Sequence, residues 1–189
     1  MQECVSVRAT RPEVFMAHIS FFALPVGGGV LGISQLPGRG GDYTADLVDI
    51  RAWRPSIVLS LTTLGEMADL GAQTLGTDLR ERATRWVHLP ISDLGVPDAG
   101  FEESWPEVAE KILLALRGGG RVLVHCKGGC GRSGMVALRL MVEAGEKADV
   151  ALGKLRGVRP CAVETDEQYH WAQKGRKRKL PQPGGLHCG

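Results

Sequence analysis

With 189 residues, the chain has room for one α/β domain with an ordinary core. It is 43% hydrophobic and 23% charged, the balance of a soluble globular protein, and a formal charge of +2 supplies no global basic field for nucleic acid. Five cysteines, at 4, 126, 130, 161 and 188, are odd in number and irregular in spacing, so they argue against a disulfide framework and a zinc site and for a reduced, cytoplasmic setting.

Residues 1–19 read as an N-terminal extension. The apolar stretch 14–30 is broken by His18, Pro25 and three glycines, too interrupted for a signal peptide or a membrane span. Strands are predicted over 20–24 and 30–34, with a loop at 36–41. A helix over 42–53 stops before Pro55, and residues 57–61 form a short buried strand. A helix over 63–70 has Thr63 as N-cap and Glu66 three residues on, a capping-box pattern. Residues 80–84 are polar. A strand over 86–91 leads into a loop at 92–100. The helix predicted over 103–116 sets Val108, Ile112, Leu113 and Leu116 on one side, and three glycines close it. A strand at 121–124, helices over 135–144 and 147–156, a loop at 157–160 and a helix over 165–174 follow. Residues 175–189 read as a basic flexible tail carrying Arg176-Lys177-Arg178-Lys179, either solvated or touching anionic partners. The folded domain therefore spans 20–174. Its alternating elements predict an α/β fold, a central, mostly parallel sheet flanked by helices on both faces, with ligands bound beyond the carboxyl ends of the strands.

The most specific segment is His125-Cys126-Lys127-Gly128-Gly129-Cys130-Gly131-Arg132-Ser133-Gly134. A buried strand precedes it and a helix follows, so its glycines can curl backbone N–H groups around an anion at a helix N-terminus. Thiols at helix N-termini and beside cations ionise more readily, and a thiolate can attack phosphorus. Cys126 is thus the candidate nucleophile. Arg132 offers a planar fork to a phosphoryl group, and Ser133 can donate to the departing sulfur. Lys127, Gly128, Gly129, Cys130 and Gly131 complete the phosphate-binding turn, and His125 supports it through ring hydrogen bonds.

Cys126, five intervening residues and Arg132-Ser133 resemble the HCxxGxxR[ST] signature of cysteine-based protein tyrosine and dual-specificity phosphatases. Residues 31–38, 89–98 and 155–168 resemble the kinase-associated branch, similar to cyclin-dependent kinase inhibitor 3. The resemblance implies a protein tyrosine phosphatase-like fold and hydrolysis of phosphotyrosine, with phosphoserine or phosphothreonine as further substrates, through a cysteinyl-phosphate. It implies a phosphorylated protein as partner, no cofactor and no metal; neither nucleic acid nor a membrane span is expected, and a monomer is. It also implies a general acid on a mobile loop, for which Asp93 matches and Asp98 is the alternative; either is also a turn former.

Other residues stay open on the sequence. Gln168 matches a water-positioning glutamine, but Glu164 stands where such enzymes carry their first one, and Thr165 with Gln168 also reads as a capping box. Cys130 is either a space filler or a partner that traps oxidised Cys126 in a disulfide. Lys127 is either a surface charge or a sign of phosphoinositide or inositol-phosphate substrates. A catalytically inactive phosphate-binding module is the remaining alternative, and the Arg132-Ser133 pair disfavours a rhodanese-like sulfur carrier.

Overall fold

The structure, a computed structural model, describes residues 18–179. Cys4, Cys188, most of the N-terminal extension and the last ten residues lie outside the described residues.

Five strands form one sheet: β1 (Phe22–Val26), β2 (Gly29–Ser34), β3 (Ile57–Ser60), β4 (Arg85–His88) and β5 (Arg121–His125). Their spatial order is β1-β2-β5-β3-β4; β1 and β2 form an antiparallel hairpin and every other pair is parallel. The mostly parallel α/β sheet expected from the alternation of elements is therefore present, with β1 as an antiparallel edge.

Among the described residues seven helices cover both faces: α1 (Tyr43–Trp53), α2 (Leu64–Asp69), α3 (Leu75–Arg80), α4 (Ala99–Arg117), α5 (Gly131–Ala144), α6 (Ala148–Val158) and α7 (Asp166–Gln173). Side chains alternate across a strand, and the core divides accordingly. Val58 and Leu123 face a cluster with Leu47, Ile50, Met67, Leu75 and Leu79 of α1–α3. Ile57, Leu59, Val122 and Val124 face the larger cluster built by α4–α7. Helix α5 lies deepest, with twelve of its residues buried.

Several boundaries differ from the sequence expectation, each for a local reason. Helix α4 starts at Ala99 rather than at 103, because the Asp98 carboxylate accepts from Phe101 N at 2.8 Å and caps it. Helix α5 starts at Gly131, so the end of the glycine turn is already its first turn. Helix α3 was not predicted; it is short and carries only a few apolar residues. β4 ends at His88, yet Leu89 N and Ile91 N still bond Ser60 O and Leu61 O at 3.0 Å, on either side of the donor-less Pro90. These two bonds carry the chain past the sheet edge towards Ser92.

The basic run is anchored at Arg178, whose N–H donates to Glu143 O at 3.0 Å and whose guanidinium pairs with the Glu143 carboxylate. That carboxylate also accepts from Trp105 Nε1 at 2.9 Å and Arg139 Nε at 2.7 Å, linking α4 to α5.

Candidate active site

Strand β5 delivers Cys126 at the carboxyl edge of the sheet, where ligands of parallel sheets bind. The thiol is buried and free. Its Sγ accepts the Gly129 N–H at 3.3 Å and stands 3.2 Å from Ser133 Oγ. Gly129 must be glycine: its φ is +69°, and a Cβ there would stand 2.7 Å from the Ser34 backbone. The turn is thereby wedged against the end of β2.

Arg132, on the first turn of α5, is 2% exposed. Its Nη1 and Nη2 donate to Glu66 Oε2 and Oε1 at 2.9 and 2.8 Å, a fork-to-fork pair, and Nη1 also donates to Ile91 O at 3.0 Å. The guanidinium bonds hold the Glu66 carboxyl down at a pKa of about 2, against partial burial that works the other way. Glu66 also completes the predicted capping box with Thr63. The sequence reading saw only that local role, because the contact with Arg132 spans 66 positions.

Asp93 reaches the same arginine: its Oδ1 lies 2.9 Å from Arg132 Nη2, and the side chain is 67% exposed. Asp98, the alternative acid, is occupied as the cap of α4 and lies outside the pocket that contains Cys126. His125 is fully buried, with Nε2 at 2.6 Å from Ser60 Oγ. Trp86 Nε1, which can only donate, gives its proton to Ser60 Oγ at 2.8 Å and leaves the hydroxyl proton for the imidazole. Burial drives the His125 pKa down to about 3, so the ring is neutral and ties β5 to β3 and β4.

The outer side of the turn is held by residues that the sequence reading left without a role. Arg159 donates to Gly129 O and Gly128 O, each at 2.9 Å, and stacks 4.2 Å from the Phe22 ring. Cys130 is joined to Cys161 by a disulfide, with Cα atoms 5.2 Å apart. This corrects two expectations: the cysteines do form a bridge, and Cys130 pairs neither with Cys126 nor as a mere space filler. The separation of 31 residues gave no local signal.

Gln168 is fully buried rather than in the pocket. Its Oε1 accepts from Glu164 N at 2.9 Å, its backbone N–H donates to Thr165 Oγ1 at 3.2 Å, and its Nε2 reaches Gly95 O at 3.4 Å. Thr165 thus caps α7, but the capping box is incomplete, because Gln168 Oε1 takes the N–H of Glu164 rather than that of Thr165; the same side chain ties α7 to the loop that carries Asp93. Glu164 lines the pocket instead. Among the described residues, no cluster of His, Cys, Asp and Glu could hold a metal ion, and no helix is long and apolar enough to cross a membrane.

The profile of the family described as cyclin-dependent kinase inhibitor 3 (CDKN3) matches residues 29–149, which include the Glu66, Asp93 and Cys126–Arg132 constellation. The chain belongs to the CDKN3 family. Cyclin-dependent kinase inhibitor 3 of Mus musculus is 28% identical over 155 residues, 78% of this chain and 72% of that protein. Tyrosine-protein phosphatase CDC14 of Saccharomyces cerevisiae is 36% identical over 84 residues, 44% of this chain and 14% of that protein. The crystal structure of kinase-associated phosphatase with its catalytic-site cysteine replaced by serine superposes with a TM-score of 0.73 at 24% identity, covering 84% of this chain and 94% of that one. That likeness shows the protein tyrosine phosphatase-like fold.

This CDKN3-family chain is a protein phosphatase of the tyrosine/dual-specificity class. Its pocket of about 450 Å³ brings Cys126, Lys127, Gly128, Cys130, Gly131, Arg132 and Asp93 together. Ser133 stands just behind, against the sulfur.

Proposed function

We propose that the pocket hydrolyses phosphotyrosine, and phosphoserine or phosphothreonine as well, on a protein substrate in two displacements. Arg132 and the N–H groups of the turn take the phosphoryl oxygens. The Cys126 thiolate forms the S–P bond as the P–O bond to the side chain breaks, and Asp93 passes its proton to the leaving oxygen. Water then attacks phosphorus. Its proton goes to the Asp93 carboxylate, the S–P bond breaks, and the Ser133 hydroxyl donates to the departing thiolate. Glu66 orients the Arg132 fork, and His125 positions the turn as a neutral ring.

The observation that carries this reading is the convergence of Cys126, Arg132 and Asp93 in one pocket. Such a site acts by placement and fixed charge. The names of the relatives support a phosphorylated kinase-type protein as substrate, and a monomeric enzyme is part of the same proposal.

A substrate panel tests it: phosphotyrosine and phosphothreonine peptides against phosphoinositide vesicles, with Cys126→Ser as control. Turnover of peptides that vanishes in the variant is expected. Peptide turnover surviving in Cys126→Ser, or turnover of vesicles alone, would contradict it.

A further inference from the structure

The rim of the pocket carries charges of both signs. At Gly128, Arg39 Nη1 comes within 3.0 Å of the point where a Cβ would stand, and Lys127 is the preceding residue. Among the described residues neither side chain has a hydrogen-bond or ion-pair partner, whereas Arg159 is bound to the backbone of the turn. At Gly131, Glu164 Oε2 comes within 2.0 Å of the corresponding point, and its carboxylate has no partner either. Arg39 and Glu164 are exposed and Lys127 is half-buried, so all three reach the solvent through which a substrate approaches. Arg39 comes from the loop after β2 and Glu164 from the loop before α7. The two arms of opposite charge are therefore set by separate elements, one at Gly128 and the other at Gly131 of the phosphate turn.

From this polarity we infer that the enzyme selects phosphopeptides carrying acidic side chains on one flank of the phosphorylated residue and not on the other. The inference rests on the phosphoprotein reading above and adds a direction to it. A phosphorylated residue seated over Cys126 fixes the peptide across the rim. Carboxylates on the flank over Gly128 meet Arg39 and Lys127. Carboxylates on the opposite flank meet Glu164 and are repelled. Exposed pairs at a rim are individually weak, so two cations together amount to about a fivefold preference, and salt screens it.

The test is kcat/KM on four phosphopeptides of one length: neutral flanks, glutamates only N-terminal to the phosphorylated residue, glutamates only C-terminal, and both. One single-sided peptide is expected to exceed the neutral one about fivefold at low salt, and the other to be no better than neutral. The advantage should shrink in 0.5 M salt, where charges beyond about 4 Å are screened. Arg39→Ala should shrink the ratio of favoured to neutral peptide, Arg39→Glu should abolish it and Arg39→Lys should preserve it. Glu164→Gln should lift the handicap of the disfavoured peptide. A merely structural role for Arg39 would change all four peptides together and leave the ratio intact, which would overturn the inference. Equal gains from glutamates on either side, or no gain from either, would overturn it too. No turnover of any peptide alongside turnover of phosphoinositide vesicles would overturn both this inference and the phosphoprotein reading beneath it.

Discussion

Glu66 takes both Nη atoms of Arg132 and so sets the plane in which the guanidinium meets a phosphoryl group. In Glu66→Gln an amide nitrogen would face one of those donors, leaving two N–H groups opposed and the fork displaced. We expect kcat/KM to fall about 10- to 100-fold, with weaker protection by orthovanadate, measured by steady-state kinetics and competition. Glu66 is also a stability element with a definite pH window. Its folded pKa of about 2 lies below its ordinary 4.5, so its contribution is complete above 4.5 and is lost as pH falls towards 2. Urea unfolding across that window should be steeper in pH for the native protein than for Glu66→Gln, with a difference of about 2 kcal/mol above it. Asp93 is tested differently. Asp93→Asn keeps a group beside Arg132 but has no proton to give, so kcat on phosphotyrosine peptides should drop about 100-fold, and less on aryl phosphates with good leaving groups. Equal losses on both substrate types would place Asp93 outside proton transfer.

At the scale of elements, the phosphate turn is clamped from outside by Arg159 and by the Cys130–Cys161 disulfide, which fasten it to the segment between α6 and α7. Closing a loop of 31 residues restricts the unfolded chain by about 3–4 kcal/mol on the chain-entropy account. Cys161→Ser should lower the stability of the oxidised protein by roughly that amount, measured by urea unfolding, and the difference should disappear when both proteins are reduced. The sequence made the strand–turn–helix around Cys126 plain, because an apolar run, four glycines and an amphipathic run are local signals. It was equally plain that strands and helices alternate. Helix α3 was not legible, since a six-residue helix leaves too short a periodic trace. Neither were the second role of Glu66, the grip of Arg159 or the pairing of Cys161: each depends on which loops the sheet brings to one edge. Gln168 and Glu164 show the same limit. Their motif was visible, but only the fold decides which of the two enters the pocket and which is buried beneath it.

In the whole molecule, the sheet order places β5 between β2 and β3, so Cys126 emerges centrally, with Arg39 arriving after β2, Glu66 after β3 and Asp93 after β4. His125 joins these strands as a buried neutral ring, which makes the whole domain acid-sensitive. Its folded pKa of about 3 lies below the ordinary 6.5, so the unfolded chain binds the proton first and stability declines as pH falls from 6.5 towards 3. The unfolding midpoint should therefore fall across that range in the native protein and fall less in His125→Asn. The central claim is that phosphorus passes through the Cys126 sulfur, and trapping the intermediate tests it most directly. Asp93→Asn protein is mixed with an aryl phosphate whose leaving group needs no proton, quenched within milliseconds and digested for mass spectrometry. The account predicts a phosphoryl group on the peptide that contains Cys126, formed as the substrate is dephosphorylated and missing from Cys126→Ser; a phosphoryl group on any other residue, or full turnover by Cys126→Ser, would contradict it.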